Sequence, residues 1–308
     1  MAVIEVRNLH KRYRGRVALH DVSFTVEEGE VFGLLGPNGA GKTTTVECIE
    51  GLRRPDNGSV RVFGLDPRRD RAELRECVGV QLQASQLPDK IRVREVLELY
   101  SSFYCRPANW ERLIADVGLS EKRDTTFEKL PGGQKQRLSI ALALVGDPRL
   151  AILDELTTGL DPLGRHETWQ LVEGIRAKGV TVVLVTNFLD EAERLCDRLA
   201  VLDAGRVVAI DSPAGLVSRV TPGQRIRFRP SASLDDHLLT ALPEVASVSR
   251  NGAEVLVTGG ENLVQAVTAT LARNQIVAVA LRVERADLAD AYIAMTGHTD
   301  SREPSRPI

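Results

Sequence analysis

Residues Gly36, Pro37, Asn38, Gly39, Ala40, Gly41, Lys42 and Thr43 follow the spacing GxxxxGK[ST]. Glycines so placed let consecutive backbone N–H groups converge on phosphate oxygens where a Cβ would intrude. The lysine neutralises terminal phosphates and the threonine hydroxyl ligates Mg²⁺. Thr44 is placed to bond the α-phosphate. An apolar strand pattern, VFGLL, precedes the loop and a helical pattern follows it, which is the context this chemistry needs. The acidic half of such a site stands at LAILDELTTGLDP, residues 150–162. Asp154 ends an apolar strand and can hold Mg²⁺ through its waters, while Glu155 is placed to polarise an attacking water.

A third stretch, LPGGQKQR at 130–137, opens an apolar run at helical spacing. A helix start presents free N–H groups and the positive end of a dipole, so it meets anions well. Pro131 stands where a hydroxyl would be the natural phosphate contact.

These residues need strands and helices to bring them together. Strand patterns fall near 3–9, 22–26, 30–36, 59–63, 78–83, 150–154 and 180–186. Helix patterns fall near 41–51, 93–104, 108–117, 132–146, 163–178 and 189–196. Buried apolar strands alternating with helices predict a largely parallel α/β sheet, and RLAVLDAGRVVAIDS reads as a hairpin about Ala204-Gly205. The pattern changes around VTPGQR, 219–224. Beyond it the order strand, helix, strand, strand, helix, strand resembles a split βαβ sandwich. We expect a main domain at 1–220, a small α+β, ferredoxin-like domain at 221–299, and a disordered tail at 300–308.

Composition narrows the function. With a formal net charge of −2 and 27% charged residues, there is no basic stripe to argue for nucleic acid. Cys48, Cys77, Cys105 and Cys196 lack metal or disulfide spacing, which fits a reducing cytoplasm. The five histidines show no ligand spacing either. MAVIEVRNLHKRY lacks the apolar core of a signal peptide, and runs such as VTVVLV are too short to cross a bilayer. A soluble cytoplasmic chain is expected.

The elements together resemble the ATP-binding-cassette (ABC) superfamily over residues 1–220. That resemblance implies a P-loop NTPase fold: a RecA-like core with an antiparallel β subdomain and a helical subdomain. It assigns the phosphate loop to 36–43 and the signature that contacts the partner's nucleotide to Leu130, Pro131, Gly132, Gly133 and Gln134. The metal and catalytic carboxylates fall on Asp154 and Glu155, and a dimer-crossing aspartate falls on Asp161. Gln83 falls on a glutamine loop that senses Mg²⁺ and the membrane partner, and Tyr13 on the aromatic that stacks on adenine. VGVQLQ, LTTGLDP, FLDEAERLCDR, GRVVAIDSPAGL and ADLADAYIAMTG are similar to drug-export ATPases of the daunorubicin-resistance type. The resemblance implies ATP and Mg²⁺ as cofactors, a head-to-tail dimer, and a separately encoded membrane subunit reached through Gln83 and the following 84–104. The chain would then lie on the inner face of the cell membrane.

Three positions depart from the family pattern. Pro131 removes a hydroxyl and an N–H from the signature, which should weaken dimer closure by about 1.5–3 kcal/mol. Leu156 replaces a proline and should loosen its turn. Asn187 replaces a histidine that touches the γ-phosphate and the catalytic glutamate; Asn is shorter and cannot become cationic. The expectation is normal MgATP binding with slowed turnover. Two readings follow: an ATP-hydrolysing subunit of an exporter, or a weakly hydrolysing regulatory partner in a mixed cassette dimer. A soluble cassette of translation or DNA repair would carry two cassettes or a long coiled-coil insertion, and neither is present.

Overall fold

The computed structural model describes residues 1–81, 87–220, 224–260, 262–285 and 287–297. It divides into two compact units, Met1–Pro213 and a second beginning at Ala214. The first unit runs β1 (Ala2–Tyr13), β2 (Arg16–Glu27), β3 (Val31–Leu35), α1 (Lys42–Ile49), β4 (Asn57–Val62), α2 (Arg71–Arg75) and β5 (Val78–Gln81). Next come α3 (Val93–Ser101), α4 (Trp110–Asp116), α5 (Gly132–Leu144), β6 (Leu150–Asp154), α6 (Pro162–Ala177), β7 (Thr181–Thr186) and α7 (Leu189–Leu195). The hairpin β8 (Arg198–Asp203) and β9 (Arg206–Asp211) follows.

Six of these strands form one sheet in the order β5-β6-β7-β3-β8-β9. Pairing is parallel apart from the antiparallel β8–β9 edge. Every residue of β3, β6 and β7 is buried, as strands covered on both faces must be, and their unbroken apolar runs follow from that. A second, antiparallel sheet has the order β2-β1-β4. Ile4 and Val6 of β1 and Val22 and Phe24 of β2 pack into the same core as Phe32 and Leu34, and the Phe24 and Phe32 rings stack at 5.3 Å. Helices α3, α4 and α5 gather around their own core, including Val96, Leu97, Ile114, Leu138 and Ala141.

The hairpin β1–β2 is much longer than the apolar patterns at 3–9 and 22–26, because its outer halves are largely polar and continue the backbone pairing, helped by side-chain contacts such as the Asn8 N–H to Ser23 Oγ bond at 2.7 Å. Helix α2 buries only Leu74, so it leaves no helical period in the sequence.

Helix α8 (Pro213–Val220) starts at the last residue of the first unit, and the second unit continues with β10 (Gln224–Pro230), α9 (His237–Thr240), β11 (Val245–Asn251) and β12 (Glu254–Gly259). It ends with α10 (Leu263–Arg273), β13 (Ala278–Arg285) and α11 (Leu288–Thr296). Its sheet is antiparallel in the order β11-β12-β10-β13. Ile226, Phe228, Val255 and Val257 of the sheet meet Leu263, Val267 and Leu271 of α10. Residues 221–223, where the sequence pattern changes, and the tail at 300–308 lie outside the described residues.

Candidate functional site

Three loops emerge side by side from the carboxyl ends of adjacent parallel strands. Leu35 of β3 is the register partner of Thr186 of β7, and Asp154 of β6 is the partner of Val185. The phosphate-loop sequence therefore starts beside Asn187, with Asp154 and Glu155 on the other side of β7. Open α/β sheets bind ligands at this end of their strands.

Residues 36–41 connect β3 to α1 in a tight loop. Gly41 has φ +104°, and a Cβ there would meet Leu19 Cδ2 at 2.6 Å and the Ala18 carbonyl at 2.8 Å. Gly36 admits no side chain either, since its Cβ would come within 2.3 Å of the Leu202 carbonyl. The loop is thus pressed against the body of the unit while Asn38 and Gly39 face outward. Lys42 is buried and donates from Nζ to the carbonyls of Gly36 at 2.6 Å and Pro37 at 3.1 Å. The ammonium is held at the loop. Thr43 is exposed, Thr44 half-buried, and Thr45 buried with its hydroxyl on the Gly41 carbonyl.

Burial lowers the Lys42 pKa, opposed by the nearby charges of Glu155 and Asp154. Asp154 shows the converse: burial, then the Glu155 charge, raise it to about 6 against the pull of Lys42. Two crowded carboxylates share one ammonium, so the spot is short of positive charge. That donor set, with the exposed Thr43 hydroxyl, fits a divalent cation. Glu155 has φ +48°, a left-handed conformation unfavourable for a side chain of its kind, and such strain gathers at functional sites. Its N–H donates to the Val185 carbonyl at 2.9 Å, which helps hold it there. Leu156 is fully buried. The loosened turn expected from the missing proline gives way to an apolar anchor.

Comparison with known proteins agrees with this arrangement. The family described as "ABC transporter" matches residues 19–158. A Nod factor export ATP-binding protein I of Burkholderia orbicola is 43% identical over 223 residues, covering 70% of this chain and 73% of that protein. One from Rhizobium johnstonii is 41% identical over 220 residues, covering 70% of each. The chain belongs to the ABC transporter family. A solved ATP-binding subunit of an ABC transporter superposes with a TM-score of 0.64 at 31% identity, covering 70% of this chain and 92% of that one. A dimeric cassette in a post-hydrolysis state bound to ADP and Pi gives 0.61 at 27% identity, covering 68% and 98%. The protein is an ATP-hydrolysing ABC cassette. Such subunits dimerise and act with separate membrane subunits; among the described residues no helix is long and apolar enough to span a membrane.

Further residues read from the sequence lie on other elements of the first unit. Pro131 caps α5 with an exposed ring, and its carbonyl accepts from Gln134 and Lys135 N–H, both at 3.0 Å. Proline fits a helix start without strain. Leu130 is buried, and Gly132 and Gly133 form the first turn of α5. A Cβ added at Gly132 would meet only open space, and one at Gly133 would meet Leu160 Cδ2 at 3.8 Å. The signature therefore lies beside the segment leading to Asp161. Asp161 is exposed and caps α6, accepting from Gly164 N–H at 2.7 Å. Tyr13 ends β1 with its ring 36% exposed, between Lys11 Nζ at 5.4 Å and the Arg53 guanidinium at 5.5 Å. Asn187 is exposed directly after β7. Gln83 lies outside the described residues.

A buried acid escaped the sequence reading. Glu191 of α7 is fully buried among Thr186, Thr157 and Trp169. In LDEAE it is one acidic residue among three, and only the fold separates it from solvent-facing Asp190. A cavity of about 390 Å³, lined by Arg112, Asp116 and Lys178 among others, contains none of the residues above. The candidate site is instead a strand-end shelf on which Asn38, Thr43 and Asn187 are exposed.

Proposed function

We propose that this cassette binds MgATP on the 36–43 loop and hydrolyses it slowly to drive export through a separate membrane subunit. The observation that carries the reading is the convergence of this loop, Asp154–Glu155 and Asn187 at three neighbouring strand ends. Lys42 neutralises the terminal phosphates, Thr43 and Asp154 hold the metal, and Glu155 orients and polarises the attacking water. Mg²⁺, when bound, supplies the charge that the crowded carboxylates lack. Tyr13 stacks on adenine at the outer end of the site. The signature at 130–134 and Asp161 act across a homodimer, toward nucleotide held by the partner.

Slow turnover follows from what Asn187 and Pro131 cannot supply. A missing preorganised transition-state donor costs about 10²–10³ in rate, and Asn187, exposed at the strand end, is shorter than the histidine of the family pattern and cannot become cationic. Export is the cargo direction of the curated relatives named above, and the daunorubicin-type wording of the last third supports drug-like or lipid-like cargo. Exposed Leu99 and Phe103 (46% and 49%) lie in the stretch read as the docking region for the membrane subunit.

Pro131 and Asn187 also support a second reading, a regulatory partner in a mixed dimer. Pro131 would then weaken the partner's site and Asn187 this chain's own. Nucleotide binding and phosphate release by the purified chain test the first reading: micromolar MgATP affinity with turnover well below one per second is expected, and several turnovers per second by a homodimer would overturn the slow half. In the transporter, Pro131→Ser with Asn187→His separates the two. Faster ATPase with unchanged transport favours the regulatory role, and a parallel rise in both favours the driving one.

A further inference from the structure

The loops that carry Asp161 and Asn187 meet behind the site at one buried carboxyl group. Glu191, in the first turn of α7, has none of its surface exposed. Around it stand the Thr157 hydroxyl from the turn after β6, the Thr186 hydroxyl from the last residue of β7, and the Trp169 indole of α6, each near enough to lower its pKa against burial. By strict distance and angle neither carboxyl oxygen has a donor, and Thr157 Oγ1 and Trp169 Nε1 have no acceptor. These two acceptors and two donors are all buried, and a small side-chain adjustment would pair them. Burial without those bonds leaves four polar atoms stranded, each at a cost in stability.

The wiring has a direction. Thr186 accepts from the Phe188 N–H at 3.0 Å through its hydroxyl oxygen, which leaves the hydroxyl proton for Glu191 and spans Asn187 between two fixed neighbours. Thr157 begins the segment Thr157–Asp161, which continues into the Asp161 cap of α6. Trp169 sits on α6 itself, its ring under the Arg194 guanidinium of α7 at 5.1 Å. Arg165 of α6 adds an outer stitch, over the Phe188 ring at 4.5 Å. Three neutral donors, and no cation among them, address one acid.

We propose that Glu191 is a positioning residue that holds the Asp161 loop and the Asn187 loop in fixed register, so that movement of the dimer loop is felt beside the γ-phosphate site. This rests on reading the strand-end shelf as the ATP site. It places Glu191 behind the chemistry, where a shift of about 1 Å in the groups it holds would cost up to 10²-fold in rate while leaving the phosphate loop untouched.

The test uses the full chain in a Trp110→Phe background, so that Trp169 is the only indole of the two in the sequence. Glu191→Gln keeps the shape and removes one acceptor; Thr157→Val and Thr157→Ser remove and restore the hydroxyl. We expect Glu191→Gln and Thr157→Val to lower kcat roughly 10- to 100-fold, with KM and MgATP affinity within twofold of the parent. Thr157→Ser should return kcat to near the parent value. Trp169 emission should shift to the blue in Glu191→Gln without nucleotide present. Parental kcat in Glu191→Gln, or an unshifted Trp169 emission, would overturn the positioning role alone. A parent chain that binds no MgATP would remove the ATP-site reading and this inference with it.

Discussion

The Glu155 N–H donates to the carbonyl of Val185 at 2.9 Å, pinning a left-handed glutamate to the strand residue two before Asn187. One backbone bond thus sets the spacing between the two side chains read as catalytic. With the glutamate backbone held there, Asn187 is the place to look for lost rate.

Asn187→His should raise steady-state ATPase by up to about 10²-fold. MgATP affinity should change little, because the phosphate loop is a separate strand connection. A phosphate-release assay beside equilibrium binding checks both. A rate gain below twofold would mean that another group already fills the role.

Pro131→Ser should strengthen nucleotide-dependent self-association by about 1.5–3 kcal/mol, the value of a restored bond to a charged phosphate. Sedimentation of the chain with MgATP measures it. Stability of the isolated chain should stay nearly constant, because proline already suits the start of α5.

Leu156→Ala should destabilise the first unit by about 2–5 kcal/mol, since the side chain is fully enclosed. Denaturant unfolding measures the loss. A cost below 1 kcal/mol would show that Leu156 anchors nothing.

Glu50 gives a pH test. Burial, followed by the charges of Glu47 and Asp154, raises it from 4.5 to about 7. The folded chain therefore keeps a proton that the unfolded chain has released, so stability falls as pH rises from about 4.5 to about 7. Glu50→Gln should match the parent at pH 5 and exceed it by on the order of 2 kcal/mol at pH 8. Equal stability at both values would contradict the assignment.

The candidate site is legible in the sequence wherever chemistry demands a fixed local pattern. The glycines, Lys42 and Thr43 had to be adjacent because one loop wraps one phosphate chain. The parallel core was legible because strands buried on both faces have no polar positions to confuse the reading. What escaped depends on long-range contacts. The outer half of β1–β2 carries no apolar alternation, and α2 buries a single residue. Leu156 looked like a missing proline until its burial was seen. Glu191 was indistinguishable from its acidic neighbours, because only packing of α7 against α6 and the strand ends removes it from water.

The most direct measurement is MgATP affinity of the intact chain beside its Lys42→Ala variant. The account predicts binding in the parent and a loss of at least 100-fold in the variant, with the fold intact by circular dichroism. Equal affinity in a folded Lys42→Ala chain would contradict it.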